Sequence, residues 1–372
     1  MGTFPYIPSK TLQILENFSI CFAVKSNPNL YLLKEIKKFG LGADVVSMGE
    51  LMTATKAGIN PKKIVFSGVG KTSKEIAYAI EKKILLINAE SENEVREIDR
   101  IAKLKKQKVQ IGVRLNPNTD AKTLSQISTG KKENKFGVNS NTLKKILNFC
   151  NKSKNIELKC LSVHIGSQIL DHKPYEKMLS VLNKIIKKID YKFDFIDLGG
   201  GMGITYNQNN KKLDYKKYNE QIKKFLKKQN SKIIFEPGRS IVGNTGSLIS
   251  QIVYVKKNDK RDFIILDTAM NDLMRPALYG AYHSIVPLVK AKEKNKKIHD
   301  FVGPICETTD KFLSVKSFQN LKEKDFIAIL DVGAYGMSLS SNYNLRPKPL
   351  EVMVEDKSVK VILKRQKLVN II

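Results

Sequence analysis

At 372 residues the chain is too long for one ordinary core, which predicts one large domain and a smaller one. A hydrophobic fraction of 42% is ordinary for a globular protein, and no apolar run approaches the ~18–20 residues of a membrane span. The net charge of +29 comes from 65 basic against 36 acidic residues, yet only eight of the basic ones are Arg, the side chain suited to bidentate phosphate and base contacts. A solvated basic surface is therefore expected, with no specific nucleic-acid site, although it can steer anionic small molecules.

Met1–Pro8 reads as a short extended segment, and Thr11–Phe18 has the length of a short helix. Met1–Lys10 lacks a basic stretch followed by an apolar one, so no secretory signal is expected. The cysteines, Cys21, Cys150, Cys160 and Cys306, show no Cys-x-x-Cys or zinc spacing, which predicts reduced thiols in the cytoplasm and no metal.

Eight short apolar runs follow, each ending on a residue able to do chemistry. They are Ser19–Val24 before Lys25, Ala43–Val46 before Ser47, Ile64–Phe66 before Ser67, and Leu85–Ile87 before Asn88. Val109–Val113 precedes Arg114, Leu161–Val163 precedes His164, Phe195–Leu198 precedes Gly199-Gly200-Gly201, and Ile233–Phe235 precedes Glu236. Amphipathic helix-length segments separate most of them, and strand, polar tip and helix repeated eight times predict a (β/α)₈ barrel. In that fold the active site lies at the carboxyl ends of the strands, so Lys25, Arg114, His164, the glycine run and Glu236 should converge on one mouth. One crossover, Asn116–Asn139, is long enough to be a functional loop.

Beyond Gly243 the texture changes. Ser247–Val255, Phe263–Asp267, Ile305 onward, Phe326–Val332, Glu351–Val354, Lys360–Leu363 and Leu368–Ile372 read as strands without long helices between them. Asn207–Lys212 and Lys292–Lys297 read as loops. The expected organisation is an N-terminal segment over 1–18, a barrel over 19–240 and a β-rich sandwich or barrel over 241–372.

Each tip has a chemical and a plain reading. Lys25, directly after an apolar strand, would sit partly desolvated at the mouth, which favours the neutral amine that attacks carbonyls; a snorkelling strand-end lysine is the alternative. Asp197-Leu198-Gly199-Gly200-Gly201-Met202-Gly203 follows the seventh strand, where barrels often bind phosphate on backbone N–H groups, or it is a flexible turn. Glu236-Pro237-Gly238-Arg239 either forms a structural ion pair or sets a carboxylate against a ring nitrogen and an Arg against an anion. His164 can stack on a flat ring and Ser167 can donate to a phosphate, or His164 is a satisfied structural residue. An amine, a phosphate loop, an aromatic face and a carboxylate together describe pyridoxal phosphate (PLP) better than any other cofactor.

The motifs Ala23-Val24-Lys25-Ser26-Asn27, Gly42-Ala43-Asp44-Val45-Val46-Ser47 and His164-Ile165-Gly166-Ser167 carry a family resemblance, with Gly199–Gly203 and Glu236–Arg239. Gly303-Pro304-Ile305-Cys306-Glu307 and Asp331-Val332-Gly333-Ala334-Tyr335-Gly336 extend it to nearly the whole chain. In this order they resemble the fold-type III PLP decarboxylases, and more narrowly their diaminopimelate decarboxylase branch. The resemblance implies that Lys25 carries PLP covalently, that His164 stacks on its ring and that Glu236 pairs with the pyridine nitrogen. Asp44, Ser167, Gly200, Gly201, Pro237, Gly238, Arg239 and Tyr335 would complete the cofactor site, mostly at its phosphate end. Arg239, Arg275, Tyr279, Glu307 and Tyr335 would bind substrate. Cys306, which in isolation reads as an inert buried thiol, would give the proton to Cα, and the family's usual homodimer would place Cys306 and Glu307 in the partner's site. The departure from the family is at the start, where only Thr3–Phe18 stands in place of an extended segment and a full helix.

Within such a superfamily, a bare distal ammonium calls for acidic groups. Arg239 and Arg275 can instead clamp a distal carboxylate while Glu307 takes an ammonium, which selects meso-diaminopimelate as substrate. The alternatives are another basic amino acid (ornithine, arginine or a D-amino acid) or a non-catalytic PLP-binding homologue; loss of Lys25 or Cys306 would have pointed to the latter, and both are present.

Overall fold

The computed structural model describes residues 18–207, 212–289 and 294–372. Apart from Phe18, the expected N-terminal segment and helix lie outside the described residues, as does most of the Asn207–Lys212 tract. The described chain forms two compact units, one of 18–204 with 212–238, the other of 205–207 with the part from 239 onward.

In the first unit, β1 (Phe18–Ala23), β2 (Gly42–Val45), β3 (Ile64–Phe66), β4 (Leu86–Ala89), β5 (Val109–Arg114), β6 (Ile156–Ser162), β7 (Phe195–Asp197) and β8 (Lys232–Phe235) form a closed barrel in chain order. All neighbours are parallel, and Ser19 opposite Ile234 closes β1 on β8. Strands of such a barrel are covered on both faces, which is why they read as unbroken apolar runs. Cys21, Val65, Leu86, Cys160 and Ile234 from five strands pack as one buried cluster.

Helices α1 (Leu30–Lys38), α2 (Met48–Lys56), α3 (Ser73–Glu81), α4 (Glu92–Leu104), α5 (Ser140–Lys152), α6 (Lys173–Ile189) and α7 (Tyr215–Leu226) join the strands. Most start on a side-chain cap just past a strand. Ser47 accepts from the Glu50 N–H, Ser91 from Glu94, and Thr72 forms a full capping box with Glu75. Each such cap stabilises its helix by about 1 kcal/mol. Buried faces at helical spacing (Val95, Ile98, Ala102; Met178, Leu182, Ile186) then hold them on the sheet.

The second unit is β-rich. Here β9 (Leu248–Lys257), β10 (Arg261–Leu266), β11 (Ile285–Pro287), β12 (Lys294–Val302), β13 (Lys311–Gln319) and β14 (Phe326–Ile329) make one sheet in the order β11-β14-β9-β10-β12-β13. Its pairs are antiparallel except β10 with β12. A ribbon of β15 (Glu351–Glu355) and β16 (Ser358–Leu363) stands apart, and the helices are one turn each, α8 (Arg239–Val242) and α9 (Arg275–Tyr279). Ile252, Ile264, Leu266, Phe301, Ile327 and Ile329 centre its core.

Three sequence expectations are corrected. Lys294–Lys297 are not loop but the start of β12, whose polar residues are carried by backbone pairing to β13. Ile305 opens no strand; it lies in the turn between β12 and β13, where its N–H is taken by Asp310 Oδ2 at 2.8 Å. Leu368–Ile372 is a single 3₁₀ turn over Leu368–Asn370. No helix among the described residues is long and apolar enough to cross a membrane.

Candidate active site

The carboxyl ends of the barrel strands gather a polar set inside an otherwise apolar wall. Lys25 follows β1 in a 3₁₀ turn, Val24–Ser26, braced by Ser26 Oγ on the Ala23 carbonyl and by the Ala23 N–H on the Pro237 carbonyl. Its Nζ lies 2.8 Å from Oδ2 of Asp44, and the lysine side chain is 37% exposed while the carboxylate is fully buried. The amine is thus both held and reachable from solvent. The other oxygen, Asp44 Oδ1, is buried without a hydrogen-bond partner.

Glu236 directly follows β8 and is buried. Ser67 Oγ approaches its Oε1 at 3.5 Å, the limit of a hydrogen bond. Burial first, then the nearby Asp197 and Asp44, holds its carboxyl well above the usual carboxylate range. Asp197 is itself tied down: Asn88 Nδ2 and Ser162 Oγ donate to its Oδ2 at 3.0 and 2.9 Å, and the Gly199 N–H donates to Oδ1 at 2.9 Å. Asn88 fits only because β5 carries Gly112, where a Cβ would overlap the amide oxygen.

His164, just beyond β6, accepts the Gly200 N–H on Nδ1 at 3.1 Å. The neutral ring therefore carries its proton on Nε2. Burial, with Arg114 and Lys25 nearby, keeps its pKa well below the ordinary histidine value. The long loop closes onto this segment: Thr129 Oγ1 donates to the His164 carbonyl at 2.9 Å, and the Ser167 N–H to Ile127 at 3.0 Å. Arg114 pairs with Glu90 at 3.0 Å, and its guanidinium lies 4.6 Å from the Phe136 ring centre.

Gly199 has a φ of 64°, and a Cβ on Gly200 would overlap the Glu236 carbonyl oxygen, so this approach of the segments following β7 and β8 needs glycine. Gly238 packs as closely on Ser26, where a Cβ would come within 2.9 Å of the serine side chain. These features fit PLP. The barrel offers an amine on a buried carboxylate, a neutral imidazole fixed in tautomer, a bare glycine turn and a buried carboxyl suited to a cationic ring nitrogen.

The second unit holds the other expected residues in two groups. Arg239 and Arg275 are both buried against Tyr206. Arg239 Nη1 donates to the Tyr206 hydroxyl at 2.7 Å, and the guanidinium of Arg275 lies 4.5 Å from the centre of that ring. Tyr335, at a left-handed φ of 58°, sets its ring 4.7 Å from the Arg239 guanidinium. Tyr279 closes the short helix begun by Arg275. Separately, Cys306 and Glu307 stand exposed on the turn before β13. The Tyr343 hydroxyl donates to Glu307 at 2.5 Å and Thr309 Oγ1 at 2.8 Å, which lowers the Glu307 pKa. The turn is held by buried Asp310, which accepts the N–H groups of Met270 and Ile305 at 2.7 and 2.8 Å.

Sequence reasoning missed Tyr206, His283 and Asp310. Tyr206 follows the glycine run by five residues, and no period or motif links it to Arg239 or Arg275. Asp310 did carry a signal, a second acid four residues after Cys306 and just before a strand.

Residues 8–243 match the pyridoxal-binding domain of the pyridoxal-dependent decarboxylases. Over 351 residues the chain is 43% identical to a diaminopimelate decarboxylase of Aquifex aeolicus, covering 93% of this chain and 83% of that one. With the enzyme of the same name from Campylobacter jejuni it shares 39% over 371 residues, 98% of this chain and 92% of the relative. The crystal structure of the Helicobacter pylori diaminopimelate decarboxylase complexed with L-lysine superposes with a TM-score of 0.92 at 42% identity, covering 97% and 91% of the two chains. The match spans both the lysine-bearing barrel and the β-rich unit that carries the buried arginines, so the chain belongs to the diaminopimelate decarboxylase family of the pyridoxal-dependent decarboxylases.

Proposed function

We propose that the protein decarboxylates meso-2,6-diaminopimelate to L-lysine and CO₂, the last step of lysine biosynthesis, as a cytoplasmic PLP enzyme. The observation that carries this reading is the pair of buried arginines, Arg239 and Arg275, on one tyrosine. A bare diamine or guanidino tail has no use for two buried cations, whereas a distal carboxylate does.

Bound PLP supplies the electron sink for the pair left on Cα when CO₂ departs. Lys25 Nζ holds the cofactor covalently, with Asp44 fixing the amine in place. His164 offers its flat neutral face to the ring, and Glu236 accepts from the ring nitrogen. Ser167, Gly200, Gly201, Pro237, Gly238, Arg239 and Tyr335 hold the phosphate end. Arg239 and Arg275 bind the distal carboxylate, Glu307 takes the distal ammonium, and Tyr279 and Tyr335 orient the chain between. Cys306 Sγ delivers the proton to Cα. The protein is a homodimer in which Cys306 and Glu307 serve the partner's site, and neither nucleic acid nor membrane takes part.

Purified protein with PLP should release CO₂ from meso-diaminopimelate, with L-lysine as the other product, and far less from ornithine or arginine. Equal or greater turnover of ornithine or arginine would overturn the substrate assignment. Arg275→Ala should lower kcat/KM for meso-diaminopimelate by roughly 2–5 kcal/mol of lost binding, since the distal carboxylate stays desolvated and unpaired. Any residual turnover of a basic amino acid should be unaffected. Wild-type kcat/KM in this variant would remove the distal-carboxylate argument.

A further inference from the structure

Arg275 is a buried cation, 5% exposed, that no carboxylate among the described residues pairs with. Its Nη1 lies 2.7 Å from Nε2 of His283, and the Nδ1 of that histidine lies 2.8 Å from the Leu330 carbonyl oxygen. A carbonyl only accepts, so Nδ1 carries the imidazole proton and donates to Leu330. Nε2 is then the lone-pair atom, and the Arg275 Nη1–H donates to it. The ring is fully buried, and burial, with Arg275 next to it, pushes its pKa down to about 4, which keeps it neutral at physiological pH.

Two further contacts fix the plane of the guanidinium. The Tyr206 ring lies beneath it, 4.5 Å from Cζ, and that ring meets His283 edge-on at 5.2 Å. Arg239 in turn anchors the Tyr206 hydroxyl. Nε of Arg275 is buried and has no hydrogen-bond partner. In a guanidinium, Nη1 lies on the side of Cδ. Occupying it leaves Nε and Nη2 as a parallel pair of donors, the side-on fork that grips a carboxylate with two bonds.

We propose that His283 is the positioning residue of Arg275: its Nε2 lone pair takes Nη1 and so leaves the Nε–Nη2 edge for the distal carboxylate of the substrate. The inference deepens the substrate reading above and rests on it. His283 touches neither the substrate nor the cofactor in this role. It sets the orientation of a cation that would otherwise have rotamers to choose from, a cost that would fall on substrate binding.

Two isosteric variants separate this role from a structural one. Asn places its amide near Nδ1, keeping the Leu330 bond and losing the acceptor for Arg275. Gln places its amide oxygen near Nε2, keeping that acceptor and losing the Leu330 bond. Each should be assayed as the PLP-loaded enzyme with meso-diaminopimelate, and with L-lysine as inhibitor. L-Lysine retains the distal carboxylate and ammonium, so its inhibition constant reads the fork without the chemistry. H283N should raise KM and the L-lysine inhibition constant about ten-fold, with kcat within about three-fold of wild type. H283Q should stay within about three-fold of wild type in all three. In an Arg275→Ala background H283N should add almost nothing, a non-additivity that holds even if the single variant is less stable.

The reverse order, with H283Q impaired and H283N normal, would mean that His283 merely anchors the Leu330 segment. Wild-type binding by H283N, or full additivity with Arg275→Ala, would overturn the inference while leaving the substrate reading intact. A wild-type enzyme that released no CO₂ from meso-diaminopimelate would overturn both.

Discussion

Lys25→Ala should purify without covalently attached PLP and decarboxylate meso-diaminopimelate at least ~10³-fold more slowly than wild type. The size of the effect follows from where the amine sits. Nζ is 2.8 Å from a fully buried carboxylate while a third of the side chain still meets solvent. It is therefore fixed at the mouth of the barrel and open to an incoming carbonyl. A lysine on an exposed helix face is held less firmly, as is Lys38, whose side chain is 67% exposed where it pairs with Glu35. Borohydride reduction of the loaded wild type, followed by proteolysis and mass mapping, should place the pyridoxyl group on Lys25. Label on any other lysine, or a Lys25→Ala variant with wild-type turnover, would refute the assignment.

Mixing two dead enzymes should restore activity. Lys25→Ala and Cys306→Ala are each expected to be nearly inactive alone. If Cys306 acts in the partner's site, a hybrid dimer has one site lacking both residues and one site intact. Random exchange makes about half the dimers hybrids, so activity should return to roughly a quarter of wild type. The turn that presents Cys306 suits such a role. It is exposed, it carries Glu307 next to the thiol, and Asp310 fixes it from within its own unit by two backbone bonds. Demonstrated exchange of subunits without recovery would place Cys306 in its own subunit's site or remove it from the chemistry.

The barrel was legible because a parallel strand covered on both faces leaves one kind of trace, a short apolar run, and the next residue must be polar where the mouth opens. All eight runs lie on the eight observed strands or overlap them, with shifts of a residue or a few at the ends, most of all at β6. The second unit was harder. Its strands are half exposed, so β12 begins with Lys294-Asn295-Lys296-Lys297 and reads as a solvated loop. Leu368 and Val369 are apolar yet form only a turn with Asn370, exposed and paired with no strand among the described residues. In the site, Lys25, His164 and Glu236 could be found because each ends a strand. The supporting residues could not. Tyr206 reaches Arg239 across 33 positions, and His283 lies in a loop whose neighbours give no hint that its Nε2 meets an arginine eight residues back.

The four cysteines divide unevenly between interior and surface. Cys21 and Cys160 are sealed in the barrel cluster, where burial drives their thiols well above the ordinary range, and Cys150 is pushed up to about 11. Cys306 alone is exposed. Alkylating agents attack the thiolate, so the folded chain presents them with a single target and three sealed reserves. Oxidative damage and covalent inhibitors would then converge on the thiol proposed as the proton donor, leaving the core chemically silent. A fluorophore carried by that sulfur would ride on the very turn that is proposed to cross into a neighbouring subunit.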